Sequence, residues 1–301
     1  MKYKFGYIAI LGRPNAGKST LVNNLVGEKV AIVSPKPQTT RNNILGIVTK
    51  ENFQLVLIDT PGIHRTKNAL DKYMMKSVRS AQSGANVIVY LFDATKKISD
   101  EEIEYIKKLK EKEEVPLIVV ISKIDLIKQL DILPIIDKLS KVSEIDEIVP
   151  ISSVKGKNLQ ELVDVVLKFL PESDVKNFEY DEDYYTNKSL KFIASETIRE
   201  KALYFLQEEI PHGISVDIVN FEEKTNLVII DADIICEKDS HKSIVIGKKG
   251  SMLKNIGEKA RVELENLTGK KVLLKLFVKT KKNWRESTNL LTEFGYKIDE
   301  E

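Results

Sequence analysis

From Phe5 to Leu170, short runs of branched apolar residues alternate with stretches whose apolar positions recur every three or four residues. Tyr7–Leu11, Ile44–Val48, Gln54–Asp59, Val87–Phe92, Leu117–Ile121 and Glu147–Pro150 predict strands. Lys18–Gly27, Ala69–Ser83, Asp100–Glu111 and Asn158–Leu170 predict helices. Strands alternating with helices need crossover connections. Residues 1–170 are therefore expected to form an α/β domain: a mostly parallel sheet, helices on both faces, and ligand loops at the carboxyl ends of the strands.

The rhythm breaks at Pro171–Asn187, which is acidic, aromatic and aperiodic, and 171–188 is expected as a solvated linker. Beyond it the pattern predicts a smaller α+β domain over 189–301. Its order is helix (Leu190–Glu208), strand (Ile214–Asn220), strand (Leu227–Cys236), helix, loop, helix (Ser251–Leu267), strand (Val272–Val278) and a tail. A chain of 301 residues suits two such domains better than one core.

Composition narrows the class. The single cysteine, Cys236, sits in an apolar run, which excludes a disulfide framework, predicts a buried strand residue and points to a reducing cytoplasm. No apolar run has the length of a membrane span, and peripheral membrane contact finds no support in the sequence. Formal net charge is only +2, so polyanion affinity has to come from local clustering. Such a cluster exists. Lys238–Arg285 holds fourteen Lys/Arg against four Asp/Glu, whereas the thirteen acidic and five basic residues of Asp181–Glu237 leave that stretch at −8. An excess this steep around a glycine loop predicts nucleic-acid binding rather than a merely solvated face.

The chemistry starts at Gly12–Arg13–Pro14–Asn15–Ala16–Gly17–Lys18–Ser19, followed by Thr20. A G-x-x-x-x-G-K-S run between a strand and a helix is a phosphate loop. Its glycines allow successive N–H groups to face phosphate oxygens, Lys18 reaches the β and γ phosphates, and the Ser19 hydroxyl ligates Mg²⁺. Asp59–Thr60–Pro61–Gly62 ends the third strand, placing Asp59 on the magnesium side and the Gly62 N–H toward a γ-phosphate. The base reader is Ser122–Lys123–Ile124–Asp125. Asp125 can accept from two donors on the guanine edge, where adenine has no exocyclic amine, and the Lys123 stem can lie along the base. Ile151–Ser152–Ser153 supplies a loop whose N–H groups can meet the guanine O6.

These four elements in this order resemble the GTPase superfamily. That resemblance implies a switch threonine in Ser34–Asn42 that ligates Mg²⁺ and the γ-phosphate in the GTP state; Thr40 matches it, with Thr39 the neighbouring choice. It assigns catalysis to Lys18, Thr40 and Gly62, and magnesium to Ser19, Thr40 and Asp59. The chain departs from the pattern where Ser122 replaces an asparagine that braces the phosphate loop. A shorter hydroxyl is expected to supply only part of that brace, with weaker binding or faster exchange. Ile63 stands where Ras-like proteins carry a water-orienting glutamine, and relatives of that kind recruit K⁺ through an asparagine matched by Asn15. Slow intrinsic turnover is implied. His64 is read as a switch residue rather than a base.

In the second half, Ile246–Gly247–Lys248–Lys249–Gly250 between two helices resembles the GxxG loop of a bacterial-type KH domain, which clamps about four nucleotides of single strand. With Q-T-T-R before Asn42, I-R-E-K at Ile198–Lys201, H-G-I at His212–Ile214 and K-N-W-R at Lys282–Arg285, the whole chain resembles the Era family of bacterial GTPases. The resemblance implies GTP/GDP exchange and hydrolysis, single-stranded small-subunit rRNA near its 3′ end and the small ribosomal subunit as partners, and a monomer. Two other readings stay open on the residues alone: an RNA-binding scaffold stabilised by GTP without hydrolysis, and a tRNA-modification GTPase of the same superfamily.

Overall fold

The computed structural model describes residues 2–112 and 114–296. The chain folds into two compact units: Met1–Ala31, Thr40–His64 and Met74–Asn187 form the first; Ile32–Thr39, Arg65–Tyr73 and Lys188–Glu301 form the second. The division differs from the three consecutive segments expected from the sequence in two ways. The stretch 171–187 belongs to the first unit, and two short segments from the middle of the nucleotide domain group with the second: the loop Ile32–Thr39, and Arg65–Tyr73, a loop that runs into the start of a helix.

The first unit is a seven-stranded sheet in the order β2–β3–β1–β4–β5–β6, with a short β7 on β1. Its strands are β1 (Tyr3–Gly12), β2 (Ile44–Thr49), β3 (Phe53–Asp59), β4 (Val87–Asp93), β5 (Leu117–Ser122), β6 (Glu147–Pro150) and β7 (Glu172–Ser173). Pairings are parallel except β2–β3 and β1–β7. Helices α1 (Lys18–Val26), α2 (Ala69–Ser83), α3 (Asp100–Lys112), α4 (Ile132–Ser140) and α5 (Leu159–Phe169) connect the strands. Because side chains alternate across a pleat, β1 feeds two cores: Ile8 and Ile10 pack with Val120 and Val163, Ala9 and Leu11 with Phe92 and Val119. Helix α4 has no counterpart in the expected helices. Pro134 suggests a break, yet it falls in the first turn, where a missing N–H costs no helical bond.

Topology decides where ligands go. β1 has β3 on one side and β4 on the other, so the chain crosses in opposite directions from the centre of the sheet. A crevice opens at such a switch point, outside the carboxyl ends of the strands. Gly12, Asp59, Asp93, Ser122 and Pro150 all lie at those ends.

The stretch expected as a linker has mostly exposed side chains but a fastened backbone. Buried Gln54 accepts from the Glu179 and Tyr180 N–H groups at 3.0 and 3.1 Å and donates to the Tyr180 carbonyl at 2.8 Å. Ile47 N–H donates to the Tyr185 carbonyl at 2.9 Å, occupying a donor on β2, the edge strand. An edge with open donors invites pairing with another chain, and this segment covers it.

The second unit contains α6 (Leu190–Phe205), β8 (Ser215–Glu223), β9 (Leu227–Cys236), α7 (Asp239–Ile246), α8 (Ser251–Thr268), β10 (Lys271–Thr280) and α9 (Thr288–Glu293). Its sheet runs β10–β9–β8, with β8–β9 antiparallel and β9–β10 parallel. The parallel pair requires a crossover, and that crossover is α7–loop–α8. Cys236 is fully buried in β9 and its thiol pKa is pushed up to about 12 by burial, which makes it a core residue rather than a reactive one. The expected tail includes α9; residues 297–301 lie outside the described part.

Candidate functional site

Lys18 opens α1 and is 6 % exposed, its ammonium donating to the Gly12 and Arg13 carbonyls at 3.1 Å each. Burial lowers its pKa to about 8, opposed by the charge of Asp59. A lysine folded back over its own loop is already aimed where loop amides converge. Asn15 takes φ 63, a left-handed turn that asparagine tolerates, and Gly17 takes φ 98. Gly62 is required by contact: a Cβ there would stand 2.7 Å from the Pro14 backbone, and the Ile63 N–H donates to the Gly12 carbonyl at 3.1 Å. The two phosphate-facing segments are thus locked together.

Three oxygens meet on the magnesium side. Ser19 Oγ donates to Asp59 Oδ2 at 2.6 Å, lies 2.9 Å from Thr40 Oγ1, and Thr40 Oγ1 is 3.4 Å from the same carboxylate. Asp59 is fully buried; burial raises its pKa to about 6, while the Ser19 bond and Lys18 pull it back. Its Oδ1 has no hydrogen-bond partner. Hard oxygen donors with an unpartnered carboxylate oxygen fit Mg²⁺. Between the two threonines the geometry favours Thr40, since Thr39 Oγ1 is turned to the Lys36 carbonyl at 2.6 Å. Thr60 is structural, donating to the Ile10 carbonyl at 2.7 Å. His64 Nδ1 is 2.6 Å from the Gly62 carbonyl, so the ring is engaged by its own loop.

At the base end, Asp125 Oδ1 accepts from Ser152 Oγ at 2.5 Å, and Ser153 follows in the same buried turn. Lys123 sits at φ 61 with its ammonium 2.6 Å from Asp93 Oδ2. The shorter hydroxyl of Ser122 does better than its length suggests: Oγ is 2.7 Å from the Ala16 carbonyl and 3.0 Å from that of Phe92. Close approach of β5 to the loop lets a serine hold the brace at Ala16. What it cannot do is extend an amide toward the base.

Two groups of residues were missed in the sequence. Asp93 anchors Lys123 and also accepts from the Thr95 N–H and hydroxyl; its position at a strand end was the available signal. Arg13 of the phosphate loop reaches Ser99 Oγ at 2.9 Å and Glu102 at 3.5 Å, and buried Glu102 accepts from Tyr90 OH at 2.9 Å. No local pattern announces that cluster.

In the second unit, α7 ends at Ile246 and Gly247 turns away at φ 73, ψ 173; a Cβ on it would come within 2.8 Å of the Met252 N. Lys248 and Lys249 are exposed. Gly250, at φ 78, caps α8 with no atom within 4 Å of a Cβ position, so backbone conformation rather than space selects glycine there. Beside the loop lies a groove of ≈ 430 Å³ lined by Leu253, Lys254, Gly257, Arg261, Leu274 and Leu276, among others. Leu253, Gly257 and Arg261 fall at four-residue spacing on one face of α8, a signal the sequence carried and the loop motif overshadowed. An apolar floor, a rim carrying Lys254 and Arg261 with Glu258 between them, and an open glycine loop suit unstacked bases and their backbone.

A phosphate loop, an oxygen triad and an aspartate fastened to the Ser152 turn at the ends of this sheet are the marks of a GTPase, and the second unit is a KH module. Family models agree by position: one described as "50S ribosome-binding GTPase" matches residues 7–123, and a KH domain model matches 209–285. The GTPase Era of Clostridium kluyveri is 45 % identical over 295 residues, spanning 98 % of this chain and 99 % of that protein. A crystal structure of Era with MgGDPNP and nucleotides 1506–1542 of 16S ribosomal RNA matches with TM-score 0.94 at 41 % identity, over 98 % of this chain and 100 % of that one. A variant of Aquifex aeolicus Era bound to GDP and AlF₄⁻ matches at 0.93 and 40 %, with the same coverage. The chain belongs to the Era family of GTPases.

Proposed function

We propose that this chain is a GTP-hydrolysing switch that binds small-subunit rRNA near its 3′ end and acts in small ribosomal subunit biogenesis. The observation that carries the reading is the presence of both sites in one chain that matches, nearly end to end, an Era captured with MgGDPNP and 16S nucleotides. The "50S" description belongs to a model covering residues 7–123 of the nucleotide domain, whereas this reading assigns RNA selection to the KH half.

In this reading the loop amides and Lys18 hold the β and γ phosphates, and Asp125 with the Ser152–Ser153 turn reads guanine. Ser19, Thr40 and Asp59 would hold Mg²⁺, which would supply positive charge beside the β and γ phosphates. Ile63 can neither donate nor accept a hydrogen bond through its side chain, so orienting water falls to Thr40 and backbone groups, and intrinsic turnover is slow. Asn15 recruits K⁺: replacing K⁺ by Na⁺ slows hydrolysis in the wild type and leaves an Asn15→Ala variant unchanged. Ile246–Gly250 and the adjacent groove take single-stranded RNA. The protein works as a cytoplasmic monomer; among the described residues no helix is long and apolar enough to cross a membrane.

Single-turnover GTP hydrolysis with and without an RNA carrying the 16S 3′ end tests the function. Binding of both ligands with no phosphate release would return the chain to the scaffold reading.

A further inference from the structure

The I-R-E-K run on α6 lies outside both the phosphate loop and the GxxG loop, yet it places two adjacent charged residues in the interior of the second unit. Arg199 is 1 % exposed. Its Nε and Nη2 donate to Glu196 at 2.7 and 2.6 Å, and Nη2 also donates to the Thr39 carbonyl. Neighbouring Glu200, 5 % exposed, accepts from the Val33 N–H at 2.8 Å. Just past the end of α6, Gln207 accepts from Lys36 Nζ at 3.0 Å. The segment Ile32–Thr39 is thereby gripped near both ends and in its middle, and the residue after it in the chain is Thr40.

The same run reaches the RNA-clamping helix. Lys201 bonds Glu200 at 2.6 Å and also Glu263, which lies on α8, the helix that Gly250 caps. A set of bonds therefore runs from Glu263 on α8 through Lys201 and Glu200 to the Val33 N–H, and Arg199, next to Glu200 on α6, holds the other end of the same loop at the Thr39 carbonyl. A second contact reinforces the grip: Gln38 donates to buried Asp71 at 2.7 Å, and Asp71 also accepts from the Lys67 N–H at 2.8 Å. Lys67 and Asp71 belong to Arg65–Tyr73, the segment that follows His64.

Stability does not explain this design. A buried ion pair usually contributes no more than apolar packing of equal volume. Here Arg199 Nη1 is additionally buried without a hydrogen-bond partner, a cost that an apolar core would avoid. A planar cation that bridges a carboxylate and a main-chain carbonyl fixes direction instead.

Resting on the GTPase reading above, we infer that Arg199 is a positioning residue for hydrolysis: by holding the Thr39 carbonyl it sets Thr40, and Glu200–Lys201–Glu263 ties that setting to α8. The chemistry stays with Thr40, and Arg199 acts only through it.

The test is a double-mutant cycle on the full chain. Arg199→Ala is expected to lower single-turnover GTP hydrolysis on the order of tenfold to a hundredfold and to raise the Mg²⁺ concentration needed, while GDP affinity and RNA affinity stay at wild-type values. Arg199→Lys keeps a charge for Glu196 and a donor for Thr39, so it retains the fold and recovers part of the rate. In a Thr40→Ala background, Arg199→Lys and Arg199→Ala change the rate no further. Lys201→Met is expected to leave the RNA-free rate intact and to diminish whatever change in rate an RNA carrying the 16S 3′ end produces in the wild type. Additive losses with Thr40→Ala, or a wild-type rate and Mg²⁺ requirement in both Arg199 variants, would overturn the inference. Wild-type protein without hydrolysis would sink the GTPase reading instead.

Discussion

The two glycine loops of this chain obey opposite rules. Around Gly12–Ser19 the parts interlock: the Gly62 position abuts Pro14, Ser122 braces Ala16, Lys18 spans two carbonyls, and Asp59 is fully buried. Around Gly247–Gly250 the lysines are exposed and the Gly250 position faces open space. A small polyanion must be enclosed, because directed donors in a water-poor site stabilise charge far more than donors in water. A polymer must slide in from the side, and for the RNA site proposed here that requirement suits an open loop beside a groove, with charge supplied from exposed stems. The same residue type therefore serves tight interlock in one place and bare access in the other.

The contrast can be broken most severely at the enclosed end. Lys18→Ala removes the side-chain cation folded over the phosphate loop and is expected to lower GTP hydrolysis by at least about 10²–10³-fold. Rapid-quench assays at saturating nucleotide would read this directly, and a variant within tenfold of wild type would refute the role.

The glycines themselves give the sharper comparison. Gly62→Ala forces a Cβ against the Pro14 backbone, so the two loops must part. Hydrolysis is expected to fall while melting of the RNA-binding unit is unchanged. Gly250→Asp meets no atom, and an aspartate can cap α8, so the fold should survive with a left-handed strain of about 1 kcal/mol. RNA affinity should nonetheless collapse, because the carboxylate occupies the phosphate path. Fluorescence anisotropy with a 16S 3′-end oligonucleotide separates the outcomes; retained affinity in Gly250→Asp would reduce the loop to a helix–helix turn.

Specificity is next in size. Asp125→Asn keeps an acceptor for Ser152 but exchanges a carboxylate oxygen for a donor, so preference should shift from guanosine toward xanthosine nucleotides. The expected shift is about 10- to 100-fold, the cost of one mispaired buried group. Competition against labelled GDP measures it.

The smallest effect expected is at Ser122. The sequence predicts that Ser122→Asn tightens binding by restoring a lost brace. In the structure the brace to Ala16 exists, and what Asn would add is a contact to the base worth about 1 kcal/mol. Nucleotide exchange should therefore slow by no more than about fivefold, and a much larger change would mean that the Ala16 bond is not formed in solution.

Periodicity, strand-end motifs and one glycine loop specified a great deal of this protein. They located nearly every strand to within a few residues, and they singled out Lys18, Ser19, Asp59 and Asp125, which the fold brings to the carboxyl ends of the strands, because such positions follow from spacing along the chain. Local sequence could not say that 171–187 is sewn to Gln54, that a proline-bearing helix spans Ile132–Ser140, or that Arg13 meets Glu102. Nor could it divide the switch. Thr40 and Thr39 are adjacent and chemically alike, yet one turns its hydroxyl to Asp59 and the other gives its carbonyl to Arg199. Pairings such as Arg13 with Ser99, 86 positions apart, or Thr39 with Arg199, 160 apart, leave no periodic trace, because what selects them is the shape of the packed molecule. The order of residues dictated what each strand end could do, and packing chose which buried charge holds which loop.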